Sequence, residues 1–535
     1  MSKVVVVGSG ASGVHFALSA LAKGHEVTML DVGNERPAPI NPADSFNDLK
    51  ASLDDPAAYF LGSDFSSVLL PGAGGEYYGF PPSKDYVFSR PAGAEVCARG
   101  FNPIVSFARG GLAEAWTAGV YPFNDDDLAD FPFSYADMAP YYAEVALRIG
   151  VSGVRDDLER FMPFHDNIMA PLDLDRHSNW LLHAYAARRD RLNDRHRCFV
   201  GRSRIAVLTA EKDGRQPCSY LGRCLWGCPS DALYTPSISL AECRAHPGFT
   251  YAPRHFVTHF RVDGKRRLRG VIAESTEGGG ACEIGADALV LAAGTLSSTR
   301  IFLNSIREHC GEVMVLPGLM DNPQALVPFA SWKLIGEQCE TSTYQFHQLG
   351  MGIETDSPKE YIHCQVTTLG AALAHPIVQG LPVDARTGLR VFRNVRGALG
   401  IVNINLHDDR SGDSTVTLEA GDDLPNPRAL VECAPRGQTR RLREAVRVVK
   451  SALRQLGCFV PPGMTYLRPP GSSVHYAGTV PMATDGATLT ASELCESHDF
   501  DNVYFVDGTT FPFLPAKNIT FTLMANAVRV ADNAF

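Results

Sequence analysis

The chain has 535 residues, of which 45% are hydrophobic and 20% charged, so it is too long for one core and predicts two interleaved domains. Its net charge of -10, with no Lys/Arg-rich block, argues against nucleic acid as a partner. The first residues enter a strand with no export signal, and no apolar run approaches the ~20 residues of a membrane span, so we expect a cytoplasmic protein.

The first motif is a dinucleotide-binding fingerprint. The apolar run 4–7 predicts a buried parallel strand, and a glycine-rich turn, a helix-like stretch and a second strand ending in Asp31 follow it. Glycines allow pyrophosphate to approach a helix N-terminus, and an acid at the strand end accepts hydrogen bonds from ribose. The predicted site contains Gly8, Gly10, Ser12, Gly13 and Asp31, and it suits either FAD or NAD.

A second glycine motif follows a long irregular excursion. Residues 34–100 are rich in Pro, Gly and Asp and show little periodicity, which predicts a lid or an interface with short elements. Gly110 and Gly111 then precede Trp116, a pattern that suits a backbone pressed against a flat ring. The alternative is a glycine turn followed by a tryptophan of the core.

Three of the thirteen cysteines form a cluster, and we expect the others to be reduced, buried thiols. Cys218, Cys224 and Cys228 are separated by five and three residues and are followed by a proline. Thiolates select zinc or iron–sulfur clusters, and structural zinc generally requires four ligands. Three sulfurs suit a cluster with three cysteine-bound irons, and the alternative is a cysteine-rich loop that packs without metal.

In the middle of the chain, the order of polar and apolar residues changes from irregular to alternating. Alternation around Asp263-Gly264 predicts a hairpin between residues 256 and 273, and residues 286–301 predict a buried strand, a glycine turn and a helix. Polar and apolar residues alternate at 398–406 and 414–418, which favours an antiparallel sheet. Residues 440–456 predict an amphipathic helix.

The most informative stretch lies near the C-terminus. His475 precedes Gly478 and Thr479, a strand then ends at 507–508, and a loop with Asn518 leads into a helix-like run from Thr520. A strand-to-helix passage directs backbone N–H groups and a positive helix end at one place, which suits a phosphate or an electron-rich ring. We expect His475 and Asn518 to meet there as a base and a hydrogen-bond donor.

Taken together, these motifs resemble those of the glucose–methanol–choline (GMC) flavin oxidoreductases. The resemblance implies an α/β fold in which a Rossmann-like FAD-binding domain is interleaved with an α+β substrate domain built on an antiparallel sheet. It implies FAD as cofactor, His475 as the catalytic base and Asn518 as its hydrogen-bonding partner. The further cofactor contacts that it implies are Gly110, Gly111, Trp116, Val257, Asp507, Gly508 and Thr520. The chain departs from the family at Asn322, where a histidine is common.

The same resemblance implies domain boundaries. The FAD-binding domain takes residues 1–125, with the excursion 34–100, then 201–324, with the cysteine loop 217–234, and finally 466–535. Residues 126–200 would supply helices and loops on the substrate side, and residues 325–465 would form the substrate domain.

Two groups within the family suggest a substrate and an electron acceptor. The cysteine spacing resembles that of bacterial FAD-dependent glucose dehydrogenases, which implies a [3Fe–4S] cluster and an external acceptor. The chain also resembles aminoglycoside 6′-alcohol oxidases, which implies an amino sugar such as paromamine and O2 as acceptor. We therefore expect oxidation of a small sugar or amino-sugar alcohol by hydride transfer to flavin N5, with choline-like alcohols ranked lower. A non-catalytic flavin or iron–sulfur electron carrier is the alternative of another class.

Overall fold

A parallel sheet forms the centre of one half of the molecule. The computed structural model describes residues 2–37, 39–43, 45–68, 76, 78–370, 375–419, 426–434 and 437–535; the rest of the excursion 34–100 lies outside these residues. Neighbouring strands pair in parallel, and their spatial order is Val503–Phe505, Ala288–Leu291, Lys3–Val7, Glu26–Leu30 and Phe249–Ala252. The apolar runs predicted as buried strands lie here because helices or other sheets cover both faces of this sheet.

Helices and a small antiparallel sheet cover the two faces. On one face, helix Ala11–Ala22 packs against helix Thr520–Ala534, which in turn contacts helix Tyr135–Ile149. On the other face, helix Thr295–Cys310 packs against a three-stranded sheet. Its strands are His255–Val262, Leu268–Ser275 and Ala281–Gly285, so the hairpin predicted at Asp263-Gly264 is confirmed.

A large antiparallel sheet forms the other half. Its strands, in spatial order, are Cys458–Phe459, Gln324–Ser331, Leu399–Asn405, Ile362–Thr368, Leu349–Ile353 and Cys198–Arg202, and Tyr466–Leu467 pairs with the second. Helices Gln438–Gln455 and Arg176–Ala186 pack on one face through an aliphatic core. The α/β fold with a separate antiparallel sheet is thus confirmed.

Sequence alternation did not identify which strands pair. Cys198–Arg202 joins the large sheet from outside residues 325–465, and Ser414–Glu419 belongs to a different four-stranded sheet. That sheet has the order Leu316–Pro317, Ser414–Glu419, Arg428–Cys433 and Cys97–Arg99. Period-2 alternation specifies that one face of a strand is buried, but it carries no information about the partner strand.

Short elements complete the fold and bring distant segments together. Met320–Asp321 pairs with Tyr476–Ala477, and Asp408–Asp409 pairs with Phe513–Leu514. Val151–Ser152 pairs with Ile168–Met169. The remaining α-helices are Phe46–Ser52, Pro56–Leu61, Asp85–Phe88, Arg189–His196, Pro236–Ala245, His375–Val378 and Ala385–Val395. Across the described ranges, no helix has the length and apolarity needed to cross a membrane.

Candidate active site

Three helices begin at one cavity beside the carboxyl ends of the parallel strands. They are Ala11–Ala22, Thr295–Cys310 and Thr520–Ala534, and their N-cap residues are Gly10, Gly294 and Ile519. None of the three has a side-chain hydrogen bond at its N-cap. The first N–H groups of a helix lack partners within the helix, so three uncapped N-termini favour an anionic or electron-rich ligand.

Most of the predicted cofactor residues line this cavity. Those that do are Gly8, Gly10, Ser12, Asp31, Gly111, Val257, Asp507, Gly508 and Thr520, together with His475. Gly13 lies beneath the turn, where an added Cβ would come 2.2 Å from the carbonyl oxygen of Gly8. The Gly110 N–H donates to the Ser9 hydroxyl at 2.9 Å, so Gly110 holds the turn in place.

The glycines of the cavity allow two stretches of backbone to approach closely. Gly8 has φ +100°, and a Cβ there would meet the carbonyl oxygen of Ala292 at 2.6 Å. A Cβ on Gly111 would come 3.0 Å from the Cα of Gly10. Glycine at these two positions therefore lets the turn pack directly against neighbouring backbone beside the cavity.

Two buried carboxyl groups mark the ends of strands in this cavity. Asp31 accepts hydrogen bonds from the hydroxyls of Ser9 and Tyr251, and burial raises the pKa of its carboxyl to about 6. Asp507 accepts from the hydroxyls of Ser298 and Thr509, and burial raises its pKa also. Asp31 is ionised at neutral pH and can accept hydrogen bonds from a ribose. These residues fit an FAD molecule.

His475 is held by an amide side chain that fixes its tautomer. Its Nδ1 lies 3.0 Å from Oδ1 of Asn322. Nδ2 of Asn322 donates to the carbonyl oxygens of Leu406 and Pro515, both at 2.8 Å, so Oδ1 faces the imidazole as an acceptor. Nδ1 of His475 therefore carries the proton, and Nε2 presents a lone pair.

The environment of His475 keeps the ring neutral. Burial, and secondarily the positive charge of Arg468, lowers the pKa of His475 to about 4. Since the unperturbed pKa is ~6.5, the imidazole remains uncharged throughout the neutral range. A neutral ring with a free Nε2 can accept a proton from a bound molecule.

Asn518 is oriented by a second amide. Gln365, on the large sheet, donates from Nε2 to Oδ1 of Asn518 at 2.9 Å. Because Oδ1 is occupied as an acceptor, the Nδ2 group of Asn518 is available as a donor.

A buried ion pair anchors the loop that carries Asn518. Lys517 is fully buried, and its ammonium group donates to the carbonyl oxygens of Pro122, at 3.1 Å, and Phe161, at 2.5 Å, and to the carboxylate of Asp127. These three acceptors use all three N–H bonds of the ammonium group. The loop is therefore fixed to residues 122–127 and 161 immediately before Asn518.

Asn322 also connects the two chain segments that carry the predicted catalytic residues. It contacts His475 through Oδ1 and the carbonyl of Pro515, at the start of the Asn518 loop, through Nδ2. Thr520, at the other end of this loop, lines the same cavity as His475. The two distant segments of sequence thus meet around one buried amide.

Three contributing residues were not predicted as part of the site. Asn322 was recognised only as a departure at a position where a histidine is common. Gln365 lies in an alternating strand, and Lys517 precedes Asn518 as a single cation in an apolar segment. Of the three, only Asn322 had a signal in the sequence: it precedes a proline, at a position where a histidine is common in GMC proteins.

Trp116 lies apart from this cavity. Its indole N–H donates to the carbonyl oxygen of Tyr234 at 2.7 Å, and its side chain lines a second cavity together with Cys224 and Cys228. The structure therefore separates Trp116 from the other predicted cofactor residues.

The cysteine loop does not fit a metal cluster as arranged. Cys218, Cys224 and Cys228 are free thiols, and within the described ranges no three His, Cys, Asp or Glu side chains form a group that could hold a metal ion. The sulfur of Cys224 accepts from the backbone N–H of Gln345 at 3.4 Å. Burial raises the pKa of Cys218 to about 11 and also raises the pKa of Cys224, so both are protonated thiols as long as no metal is bound.

One family model matches the chain. Residues 411–527 match the C-terminal domain described as GMC oxidoreductase. No curated protein matches the chain in sequence.

Several solved structures share the fold over nearly the whole chain. Pyridoxine 4-oxidase from Mesorbium loti is 16% identical, with a TM-score of 0.60, and the alignment covers 99% of both chains. An FAD-dependent oxidoreductase from Chaetomium thermophilum is 15% identical, with a TM-score of 0.55, covering 99% of this chain and 98% of that one. Formate oxidase from Aspergillus oryzae is 12% identical, with a TM-score of 0.59 and the same coverage.

Proposed function

We propose that this chain is a GMC oxidoreductase, because residues 411–527 match that family's C-terminal domain and the fold is that of solved oxidases, and we derive a reaction from this premise. Enzymes of this class are FAD-dependent alcohol oxidoreductases. The reaction that we propose is oxidation of an alcohol group of a sugar-like small molecule to the carbonyl. The observation that carries it is the hydrogen bond from His475 Nδ1 to Asn322, which leaves Nε2 as a free base.

His475 acts on the hydroxyl proton of the substrate. An alcohol has a pKa far above 7, so departure of hydride from its carbon is easier if a base takes the hydroxyl proton in the same event. Nε2 of His475 accepts that proton, and the imidazolium that forms keeps its Nδ1–H bond to Asn322. A bound flavin would supply the electron acceptor for the hydride that leaves the carbinol carbon.

Asn518 positions the reacting oxygen. Its Nδ2 group donates a hydrogen bond to the alcohol oxygen, on which negative charge develops as the proton leaves. The bond from Gln365 to Oδ1 prevents the Asn518 amide from turning its oxygen towards the substrate. His475 and Asn518 therefore hold one hydroxyl group from two sides.

FAD would be held by the uncapped helices and by the cavity residues named above. The N-terminus of helix Ala11–Ala22 would bind the pyrophosphate, and Asp31 the ribose. Asp507, Gly508 and Thr520 would contact the ribityl chain and the pyrimidine ring, and Val257 the adenine.

Either O2 or an external carrier reoxidises the flavin. The oxidase alternative follows from the resemblance to aminoglycoside 6′-oxidases, and the dehydrogenase alternative requires a [3Fe–4S] cluster at the cysteine loop. Iron and sulfide analysis of anaerobically purified protein, together with peroxide detection during turnover, separates the two: iron and sulfide in a 3:4 ratio without peroxide would favour the dehydrogenase.

The substrate class is tested with a panel. Sugars, amino sugars such as paromamine, pyridoxine and choline are mixed anaerobically with the enzyme while the flavin absorbance near ~450 nm is followed. A non-catalytic electron carrier would not be bleached by any alcohol.

The role of His475 is tested by one substitution. His475→Ala should retain FAD but bleach ~10² to 10⁴ times more slowly than the wild type, because the base is lost. The control is His183→Ala, which removes an exposed imidazole whose Nδ1 bonds only to the Asn179 carbonyl. Unchanged bleaching in His475→Ala would remove His475 from this role.

A further inference from the structure

One face of the large sheet is buried and yet polar. In its centre, Gln365 pairs with Asn403, and Asn405 pairs with His363 on one side and Gln324 on the other. Their register places these five side chains on one face, because residues two apart on a strand share a face. Gln324, His363, Gln365 and Asn405 are between 0% and 4% exposed.

This face is turned towards the predicted catalytic residues. Gln365 bonds to Asn518, and the ring of His363 packs edge-on against Tyr121 with centroids 4.7 Å apart. The opposite face carries aliphatic side chains against helix Gln438–Gln455. The polar face is therefore the side of the sheet that contacts Asn518, and the apolar face forms the domain core.

Buried polar groups are costly unless they have hydrogen-bond partners. Within the described part of the chain, three atoms of this face have none: Nε2 of His363, Oδ1 of Asn403 and Nδ2 of Asn405. His363 is 2% exposed and Asn405 is fully buried. The set includes a donor and an acceptor on neutral side chains, which matches a hydroxyl group, since a hydroxyl both donates and accepts.

The three central strands carry no formal charge. Gln324–Ser331, Ile362–Thr368 and Leu399–Asn405 contain no Asp, Glu, Lys or Arg residue. Two cations near this face are paired: Lys517 with the carboxylate of Asp127, and Arg468, which also donates to Oε1 of Gln324 at 2.5 Å, with Glu76 at 2.6 Å.

The electrostatic environment of the two imidazoles is cationic rather than anionic. Burial lowers the pKa of His363 to about 3, and the positive charge of Lys517 contributes to this lowering. At His475 the added contribution comes from Arg468. A nearby carboxylate would act in the opposite direction and raise these pKa values.

The carboxyl group next to Asn322 carries only part of a negative charge at neutral pH. Asp321 accepts from the backbone N–H of Gly471 at 2.6 Å and from the hydroxyl of Ser473. Burial raises its pKa to about 7, so it is partly protonated at neutral pH.

We propose that this polar sheet face, made of Gln324, His363, Gln365, Asn403 and Asn405, selects a neutral, polyhydroxylated alcohol and rejects substrates with an ammonium group. The proposal rests on the proposed alcohol oxidation and adds the charge of the substrate. A cation entering this site would lose its hydration and meet amides and neutral imidazoles instead of a carboxylate. The net charge of -10 is a property of the whole molecule and does not compensate this locally.

The direct test compares substrates that differ only in charge. Choline is paired with its uncharged isostere 3,3-dimethylbutan-1-ol, and glucose is paired with glucosamine at a pH where the amine is protonated. The neutral member of each reactive pair should have a kcat/KM at least ~10-fold higher, a discrimination of ~1.4 kcal/mol. Equal or faster turnover of the cations would overturn the proposal.

A substitution on this face tests the same point. Asn405→Asp keeps the size of the side chain and adds a carboxylate where the unpartnered Nδ2 now lies. The ratio of kcat/KM for the neutral alcohol to that for the cation should fall ~10-fold or more, since an opposite charge favours the cation. Asn394→Asp, which adds the same charge on the exposed helix Ala385–Val395, should leave the ratio unchanged.

A second variant guards against misfolding. Asn403→Asp places a carboxylate two residues away on the same strand. If Asn405→Asp does not fold, Asn403→Asp can replace it, and only one of the two has to fold and bind FAD. An unchanged ratio in a folded variant would refute the proposal. If no alcohol bleaches the flavin, or if His475→Ala bleaches it at the wild-type rate, the proposed function fails instead, and the two failures are thus distinguishable.

Discussion

The two halves of the molecule build the candidate site by different means. The parallel-sheet half uses backbone: bare glycines and three uncapped helix N-termini surround one cavity. The antiparallel half uses side chains, because Gln365, Asn403, Asn405 and His363 form a buried polar face through pairing between strands. Backbone recognition requires particular residues at fixed spacing, whereas a side-chain face depends on which strands pair.

The largest effect is expected in the backbone half. In Gly13→Ala the new Cβ would lie 2.2 Å from the carbonyl oxygen of Gly8, a backbone atom that cannot move without opening the turn. The FAD content of the purified protein should fall by ~10-fold or more. Gly264→Ala is the control, since a Cβ there meets nothing within 4 Å. Full FAD content in Gly13→Ala would contradict the backbone account.

The next effect concerns the buried ion pair. Lys517→Met leaves the carboxylate of Asp127 buried without its cation and should lower the free energy of unfolding by ~3 to 5 kcal/mol. The double variant Lys517→Met/Asp127→Asn removes both charges and should recover most of this loss in denaturant titrations. A single variant as stable as the wild type would show that the pair does not hold the Asn518 loop.

A smaller effect is expected when the hydrogen bond that fixes the tautomer of His475 is removed. Asn322→Leu removes the acceptor of the Nδ1–H bond and should slow anaerobic flavin reduction by ~10-fold. Asn304→Leu is the matched control, because Asn304 is also buried and bonds to the carbonyl of Thr258. Both variants should lose stability, but only Asn322→Leu should lose rate. Equal rates in the two variants would mean that Asn322 has a structural role alone.

The smallest effect is on the pH profile. His475 has a pKa of about 4 in the folded protein, so its base form is present above that value and is lost as the pH falls through it. The rate of flavin reduction should stay level from neutral pH down to about 5 and then decline. An acid limb near the unperturbed value of ~6.5 would contradict the assigned environment. Because the unfolded chain binds this proton first, stability also falls between these two values as the pH decreases.

The sequence predicted the backbone half in detail because its signals are local. Gly8, Gly10, Ser12 and Asp31 lie in one strand–turn–helix–strand passage, and each lines the cavity. The prediction for Trp116 placed it with them, but its position was inferred from a resemblance and no local constraint fixed it; the structure places it in another cavity.

The substrate half could not be predicted in the same way. Gln365 contacts Asn518 across 153 positions of sequence, and Asn322 contacts His475 across the same separation. Alternation predicted strands at 398–406 and 414–418, but not that Ser414–Glu419 would join a different sheet. Which polar side chains meet depends on strand order, and a single sequence does not encode that order locally.

The central claim is that Nε2 of one neutral imidazole takes the hydroxyl proton. The most direct test is rescue of anaerobic flavin reduction in His475→Ala by added imidazole, with the FAD content confirmed beforehand. The account predicts that the rate increases with the concentration of neutral imidazole and that imidazolium has no effect. The account would be contradicted if the same alcohol reduced the flavin of His475→Ala at the wild-type rate and added imidazole did not change that rate.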